Sequence, residues 1–226
     1  MTATSETSAR RFGYSEKVMD HFKNPRNIGV IEDADVTAKV GSVACGDLIK
    51  LYLKFDPDHD QIKDIRFESY GCAANIATSS MMTEMVKGKT IDDARKVTFK
   101  EIAEQLDGLP RIKLHCAVLS RQGLEAALVK YEAKRGRLKV DDSFVNKILR
   151  GVLDPVEGVD IISAKMVQSV AVEEGKRVFM QLSAKAGTEL AKSLTDDIRD
   201  AFEGLDIELN LKFKEPLQRE LGQTGP

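Results

Sequence analysis

Three cysteines, with an acid and a histidine beside two of them, are the residues of this chain whose chemistry stands out. Cys45 is followed two residues later by Asp47, Cys72 is preceded by a glycine, and Cys116 directly follows His115. Thiolates are soft ligands that favour zinc, copper(I) or iron–sulfur clusters over hard cations. The cysteines are too far apart in sequence to form a local Cys-x-x-Cys finger. A shared site therefore requires a fold that brings the three segments together.

The immediate surroundings of the cysteines favour a binding site over a structural role. A glycine adjoins both Cys45 and Cys72 and gives the chain freedom to turn there. Cys72 and Cys116 are each predicted to lie at the start of a helix, where the helix dipole stabilises an anion and lowers the pKa of a thiol. The alternative is that the cysteines are buried as small apolar side chains. A purely structural cysteine does not need a neighbouring glycine or acid.

The first part of the chain predicts an α+β fold, in which an antiparallel three-stranded meander is packed with helices. Alternating apolar and polar residues separated by short turns predict the strands, and apolar residues at helical spacing behind Thr-x-x-Asp and Thr-x-x-Glu caps predict the helices. The predicted order is a helix capped by Ser15 and ending at 22, two strands within 36–55, a strand at 62–70, a helix at 73–87, short helices beginning near 91 and 99, and a long helix at 116–135.

A charged and polar stretch at 136–142 predicts a boundary between two units. The first unit is predicted at 14–136, after a flexible tail at 1–13, and a smaller α/β unit at 143–216 follows. In the second unit the pattern predicts a helix at 143–153, strands at 166–173 and 176–183, a helix at 188–202 and a strand at 205–213. This part of the sequence has neither cysteine nor histidine, so any thiolate chemistry is expected in the first unit.

Composition argues against several other classes of function. The formal net charge is -2 over 226 residues, so the clustered basic excess of a nucleic-acid-binding surface is missing. No apolar run reaches the roughly 18 residues that a membrane span needs, and the N-terminal segment lacks the apolar core of a secretory signal. We expect a cytoplasmic protein whose thiols stay reduced, without a nucleic-acid or membrane partner.

Four segments resemble the IscU/NifU family of iron–sulfur cluster assembly scaffolds and appear in that family's order. They lie within residues 14–135 and read YSEKVMDHFKNPRNIG, SVACGDLIKLYLKF, SYGCAANIATSSMMTEMVKGKT and GLPRIKLHCAVLSRQGLEAAL. The resemblance implies that Cys45, Cys72 and Cys116 bind an iron–sulfur cluster, expected to be 2Fe–2S, or a zinc ion in the same site. Asp47 or His115 would supply the fourth ligand.

The resemblance also implies roles and partners. Cys116 would accept persulfide sulfur from a cysteine desulfurase, Asp47 would make the cluster labile, and the finished cluster would pass to apo-proteins. A cluster held by three thiolates and one harder or protonatable ligand has one weak corner, which suits a protein that must release it. The family's chaperone-recognised segment usually reads Leu-Pro-Pro-Val-Lys, whereas residues 109–113 read LPRIK here. That departure counts against a chaperone as a partner.

The second unit resembles the small α/β domain associated with iron–sulfur assembly and Mrp-type carriers. Relatives of that kind usually place a cysteine near the loop at 183–188, where this chain reads SAKAGT. The resemblance therefore implies that the second unit serves docking or the choice of partner, and not thiol chemistry.

Two other functions compete with the scaffold. A zinc-bound persulfide acceptor, the sulfurtransferase partner of a desulfurase, would use the same residues. Relatives of that kind have an insertion between the second and third cysteines that this chain lacks, which favours the scaffold. A cysteine-dependent enzyme would pair Cys116 with His115. Adjacent residues of an extended segment point in opposite directions, which argues against that pair as nucleophile and base. The sequence leaves the oligomeric state open, a homo-oligomer included.

Overall fold

The computed structural model describes residues 13–42, 46–56 and 58–215. The elements of these residues are, in chain order, α1 (Glu16–Lys23), β1 (Val36–Ser42), β2 (Asp47–Asp56), β3 (Gln61–Tyr70), α2 (Ala73–Val86), α3 (Ile91–Lys96), α4 (Phe99–Gln105), a 3₁₀ turn (Arg111–Lys113), α5 (Leu114–Lys134), α6 (Asp142–Leu149), β4 (Val167–Glu173), β5 (Arg177–Ser183), α7 (Glu189–Ala201) and β6 (Glu208–Lys214). The predicted α+β class, with a smaller α/β region after it, is confirmed.

Strands β1, β2 and β3 form the predicted antiparallel meander. Leu51 of β2 pairs with Ala38 of β1 on one side and with Phe67 of β3 on the other. These three side chains are buried, because side chains along each strand alternate between the two faces and the apolar set points to one of them. Helices α2 and α5 pack against that face and close the first core.

Local sequence signals explain where several helices begin. The Ser15 hydroxyl accepts a hydrogen bond from the Val18 N–H at 3.1 Å and caps α1 as predicted. Thr98 and Glu101 form a complete capping box at α4. Helix α5 starts at Leu114, two residues before the predicted start, because the 3₁₀ turn leads directly into it. Cys116 therefore lies in the first turn of α5.

The second sheet combines antiparallel and parallel pairing. β4 and β5 are antiparallel and joined by a tight turn in which Glu174 and Gly175 both have positive φ, 52° and 67°. β5 and β6 are parallel, with α7 as the crossover between them. Helix α6 ends at Leu149, not at the predicted residue 153. The next residues close a loop instead, in which the Ile161 N–H donates to the Val152 carbonyl at 3.0 Å.

The two units contribute side chains to each other's cores. Leu153, from the second part of the chain, belongs to the apolar cluster of the first unit. Val129, from α5, belongs to the apolar cluster of the second. The backbone N–H of Gly41 in β1 donates to the Gly151 carbonyl at 3.0 Å. The boundaries 14–136 and 143–216 stay a prediction, and the described residues on either side are in direct contact.

Helices of the described segments are either too short or too polar to cross a membrane.

Candidate metal centre

Three elements deliver their ends to one place in the first unit. Asp47 is the first residue of β2, Cys72 is the N-cap of α2, and Cys116 lies in the first turn of α5. Leu48 pairs with Tyr70, so the start of β2 lies beside the end of β3 and hence beside the chain that enters α2. The prediction that Cys72 and Cys116 lie at the edges of elements is confirmed.

The donor atoms of these residues are close enough to share one metal ion. One carboxylate oxygen of Asp47 and the sulfurs of Cys72 and Cys116 all lie within 4.8 Å of one another. The two sulfurs are 3.7 Å apart, and the Cys116 sulfur is 4.0 Å from Asp47 Oδ2. Thiolate sulfur and carboxylate oxygen bind Zn²⁺ at about 2.3 and 2.0–2.2 Å. Modest movement of the side chains would therefore place all three around one ion.

His115 lies at the same site on its exposed side. Its Nε2 is 3.2 Å from Asp47 Oδ2 and 3.4 Å from the Cys116 sulfur. The expectation that adjacent residues would point apart is wrong for His115 and Cys116, because they belong to a helical turn and not to an extended segment. The His115 side chain is 56% exposed and that of Asp47 is 16% exposed. Among the ligand candidates that the structure describes, the imidazole is thus the one that solvent reaches most easily.

Gly71 permits the close approach of Asp47 to the Cys72 backbone. A Cβ placed on Gly71 would lie 2.2 Å from Asp47 Oδ1 and 2.7 Å from Asn75 Nδ2. Without that atom, Asp47 Oδ1 accepts a hydrogen bond from the Cys72 N–H at 3.2 Å. The glycine before Cys72 is therefore required by the packing of the site, in addition to any freedom it gives the turn.

The two described thiols differ in their affinity for a proton. The contact with the Cys116 sulfur at 3.7 Å, together with the Asn75 backbone N–H, lowers the pKa of Cys72 to about 5 despite burial. The same contact, followed by burial, raises the pKa of Cys116. The lowered pKa expected for Cys72 is confirmed. The lowered pKa expected for Cys116 is wrong, because Cys116 keeps the proton that the pair shares.

Two further side chains surround Cys72. Tyr14 and Lys113 are near enough to Cys72 to interact with it electrostatically. Burial, and next the negative charge of Cys72, raises the pKa of Tyr14. Burial works to lower the pKa of Lys113, but nearby acidic groups, the Cys72 thiolate first among them, outweigh it and the pKa is raised. A positive charge beside the thiolates favours binding of an anionic or electron-rich group.

Cys45 lies outside the described residues, so its predicted place in the site stays a prediction. Sequence reasoning missed Tyr14, although it opens the first of the segments that resemble the IscU/NifU family. It also missed the steric role of Gly71 and the buried Asn75. The spacing of the cysteines offered no signal for these residues, because they reach the site through tertiary contacts.

Cysteine sulfurs, a carboxylate and an imidazole gathered at one end of an antiparallel sheet are a set of donors suited to a soft metal or a metal–sulfur cluster. Comparison with known proteins narrows the class of protein. The model of the NifU-like N terminal domain matches residues 13–138, and that of an iron–sulfur cluster assembly protein matches residues 143–207.

Curated relatives agree with the first match. The iron–sulfur cluster assembly scaffold protein IscU 1 of Archaeoglobus fulgidus is 53% identical over 125 residues, which cover 55% of this chain and 80% of that protein. The IscU scaffold protein of Aquifex aeolicus is 49% identical over 128 residues, which cover 57% of this chain and 82% of that protein. The IscU scaffold protein of Escherichia coli is 46% identical over 125 residues, which cover 54% of this chain and 96% of that protein. The chain belongs to the family of NifU-like N-terminal domains, with a second iron–sulfur assembly domain after it.

Proposed function

We propose that this protein is a scaffold on which iron–sulfur clusters are assembled and from which they pass to other proteins. The observation that supports this most directly is the set of donor atoms of Asp47, Cys72 and Cys116 within 4.8 Å of one another. Two relatives that are 53% and 49% identical over the aligned residues are themselves named scaffold proteins, not enzymes. The cluster is the cargo of such a protein, which is made and released.

The ligand set is part of the proposal. Cys45, Cys72 and Cys116 supply three thiolates, and Asp47 or His115 supplies the fourth ligand of a 2Fe–2S cluster. Zinc competes for the same atoms, because soft thiolates bind both. A carboxylate or an imidazole in one corner binds iron less firmly than a fourth thiolate and leaves an exchangeable position. Such a corner suits a protein that must give its cargo away.

Sulfur reaches the site from a cysteine desulfurase, and Cys116 is the proposed acceptor. The cysteine thiolate attacks the outer sulfur of the enzyme's persulfide, a new S–S bond forms, and the enzyme's cysteine leaves as a thiolate. Cys72 is the second candidate. Its pKa is lowered to about 5, whereas the contact with Cys72 and burial raise the pKa of Cys116. Cys116 would therefore have to pass its proton to a neighbour such as the Cys72 thiolate, 3.7 Å away, before it attacks.

The deciding experiment is anaerobic reconstitution with ferrous iron, cysteine and a desulfurase. Visible absorption, iron and sulfide would be measured on the native protein and on C45S, C72S and C116S. We expect a cluster of two irons and two sulfides that needs each cysteine and passes to an apo-ferredoxin. Mass spectrometry after desulfurase treatment without iron would show which cysteine acquires the extra sulfur. Tightly bound zinc, a persulfide and no cluster would instead establish the sulfur-transfer function.

The domain boundaries and the setting complete the proposal. Residues 14–136 would form the scaffold unit, and 143–216 would form an accessory unit that selects partners, since it has neither cysteine nor histidine. The expected setting is the cytoplasm, where thiols stay reduced. The acceptor apo-proteins would be soluble partners that offer cysteine ligands of their own.

A further inference from the structure

A cavity lies beside the donor site and between the two units. It has a volume of about 510 Å³ and is lined by Asp47 and His115 on one side and by Val159 and Ser163 of the second unit on another. Among the described residues that line it there is no cysteine. The cavity therefore approaches the donor site from the side of its oxygen and nitrogen ligands.

The second unit forms one wall of this cavity with a loop that is held by internal hydrogen bonds. The Asp160 carboxylate accepts hydrogen bonds from the Ser163 N–H at 2.9 Å and from its hydroxyl at 2.6 Å, and it pairs with Arg150 at 3.5 Å. The Asp154 N–H donates to the Val159 carbonyl at 2.8 Å, which closes the loop. We name residues 153–163 the wall loop. Its internal hydrogen bonds hold Val159 in a defined position.

The first unit fixes the position of the wall loop. Leu153 at its start is packed in the first core. Just before it, a Cβ on Gly151 would lie 2.7 Å from Val40 Cγ1, so the backbone passes directly over β1. Packing and a backbone hydrogen bond from Gly41 thus set the distance between the wall loop and the donor site. The shape of the cavity is a property of the two units together.

We propose that a cysteine-bearing segment of the protein that receives the cluster enters through this cavity, and that the wall loop determines which segments fit. The inference rests on the scaffold function proposed above. Asp47 and His115 both line the cavity, and whichever of them supplies the fourth ligand is the one that an incoming thiolate would displace, since soft metals prefer sulfur to oxygen or nitrogen. Val118, Leu119 and Val159 give the cavity apolar walls, which suit apolar residues on either side of the cysteine.

Hand-over at this place is an exchange of ligands. The thiolate of the receiving protein would form a bond to iron, and the bond from iron to the fourth ligand, the Asp47 oxygen or the His115 nitrogen, would break. If the sulfur arrives as a thiol, its proton passes to the freed carboxylate or to His115, whose Nε2 lies 3.2 Å from Asp47 Oδ2. No electron is transferred.

The receiving protein fits this cavity better than the desulfurase does. A desulfurase must bring its persulfide to a cysteine sulfur, and neither Cys72 nor Cys116, the cysteines that the structure describes, lines the cavity. A receiving protein must reach the exchangeable corner of the cluster. Asp47 and His115, the candidates for that corner, line the cavity.

Two valines of the wall loop provide a matched test. Val159 lines the cavity and is 42% exposed, whereas Val156 is 81% exposed and does not line it. The chain has no tryptophan, so V159W and V156W would each carry a single indole whose fluorescence reports its surroundings. We expect the V159W indole to be shielded from acrylamide and the V156W indole to be quenched freely.

The transfer experiment uses full-length protein with a reconstituted cluster. V159W should hand its cluster to apo-ferredoxin on the order of tenfold more slowly than the native protein, and V156W should match the native rate. Cluster content after reconstitution, and persulfide formation by the desulfurase, should be unchanged in both. Native transfer by V159W, equal slowing in both variants, or an exposed V159W indole would each overturn the proposal.

A second measurement needs no cluster. A short peptide, acetyl-Ala-Cys-Ala-amide, would be titrated into the zinc-loaded native protein and followed by amide NMR, with the serine analogue as control. The cysteine peptide should shift the signals of Val159 and Ser163, and V159W should abolish the effect. If the native protein assembled no cluster but bound the peptide here, the proposed scaffold function would be wrong, whereas the cavity would still be a binding site for a thiol-bearing segment. If the cluster formed and the peptide did not bind, the cavity proposal alone would fail.

Discussion

The two ends of helix α5 belong to different environments. Its first turn places His115 and Cys116 at the donor site, where the ligand candidates are polar and in part exposed. Its last turns bury Val129 in the second core and Lys130 between the units. A helix transmits the position of one end to the other because its backbone hydrogen bonds make it stiff. The second unit is thus tied to the donor site by a rigid element as well as by the segment at 136–142.

Lys130 shows how the far end of the helix differs from the near one. Its ammonium is almost fully buried and donates to the carbonyls of Thr37 and Glu203, each at 3.1 Å. One carbonyl belongs to the first unit and the other follows α7 in the second. Burial lowers the pKa of Lys130 to about 8, although Glu203 acts against it. At the donor end several ionisable side chains surround one potential binding site. At the junction the single Lys130 ammonium binds a backbone carbonyl of each unit.

The largest effect is expected at the donor end, from G71A. The added methyl group would collide with Asp47 Oδ1 and displace the carboxylate from the Cys72 backbone. We expect Zn²⁺ affinity to fall by roughly two orders of magnitude, since misplaced ligands and neighbours typically cost 10–100-fold or more. Competition with a chromophoric chelator would measure it.

The matched control for G71A is G88A at the other end of α2. Gly88 has a positive φ of 80°, but a Cβ there meets no atom within 4 Å. G88A should lose some stability and keep its zinc affinity. Equal affinity in native protein and G71A would show that Asp47 does not need its present position.

At the junction, K130M should change the dependence of stability on pH. The folded protein holds the Lys130 proton more weakly than the unfolded chain, so between about pH 8 and the model value of 10.5 the unfolded state binds more protons. The free energy of unfolding contributed by this group therefore rises with pH in that window, by about 1.4 kcal/mol per pH unit at most. Below pH 8 the full cost of the buried charge is present.

Denaturant unfolding of both proteins from pH 7 to pH 10.5 would measure the effect. The native protein should gain of the order of 2 kcal/mol over K130M across the window. Asp200, Glu203, Lys134 and Lys50 also face this group electrostatically, so the difference between the two proteins is the quantity to compare. If the free energies of unfolding of the two proteins changed with pH in parallel, the pKa of Lys130 would not be lowered by folding. Zinc affinity should be unaltered, which separates the junction from the donor site.

D47A should lengthen the lifetime of a bound cluster. Removal of the carboxylate takes away the ligand that makes one corner exchangeable, and we expect loss of the cluster to a chelator and transfer to apo-ferredoxin to slow about tenfold, or about 1.4 kcal/mol in barrier. The decay of the visible absorption would be followed under anaerobic conditions.

D47N provides the control for this variant. It retains an oxygen that can accept the hydrogen bond from the Cys72 N–H but removes the charge, so it separates ligand chemistry from positioning of the loop. A cluster in D47A that decays as fast as in the native protein would refute the labilising role.

Much of the fold could be predicted because local signals agreed with the tertiary structure. Alternation identified the meander, and Ser15 and Thr98 marked helix starts where the structure has them. Helix α6 was predicted too long because the apolar residues at 152 and 153 continue a helical pattern. Leu153 is apolar for another reason, since it packs in the first core. Periodicity does not show which core a side chain enters.

The candidate site was predicted in its residue types but not in its electrostatics. The resemblance and the loop positions led to Asp47, Cys72, His115 and Cys116, which the structure brings together. The helix dipole alone predicted a lowered pKa for both described thiols. In the structure the two sulfurs are in contact, so the pKa of one thiol is lowered while that of the other is raised. A contact between segments that are distant in sequence cannot be predicted from the sequence of either segment alone.

The smallest effect, and the most direct test of that coupling, is expected from C116A. Removal of the Cys116 thiol takes away the hydrogen bond that does most to lower the pKa of Cys72, while burial still acts to raise it, so the pKa should move up towards its ordinary value. In metal-free protein, the rate of Cys72 alkylation by iodoacetamide would be measured against pH, with peptide mass spectrometry to distinguish Cys45. The native profile should have its midpoint near pH 5. C116S retains a hydroxyl donor and should shift less than C116A. Superimposable profiles for all three proteins would mean that the Asn75 N–H and the Lys113 charge are enough to keep the pKa of Cys72 low. The two ends of α5 would then differ less in their chemistry than the short sulfur–sulfur contact indicates.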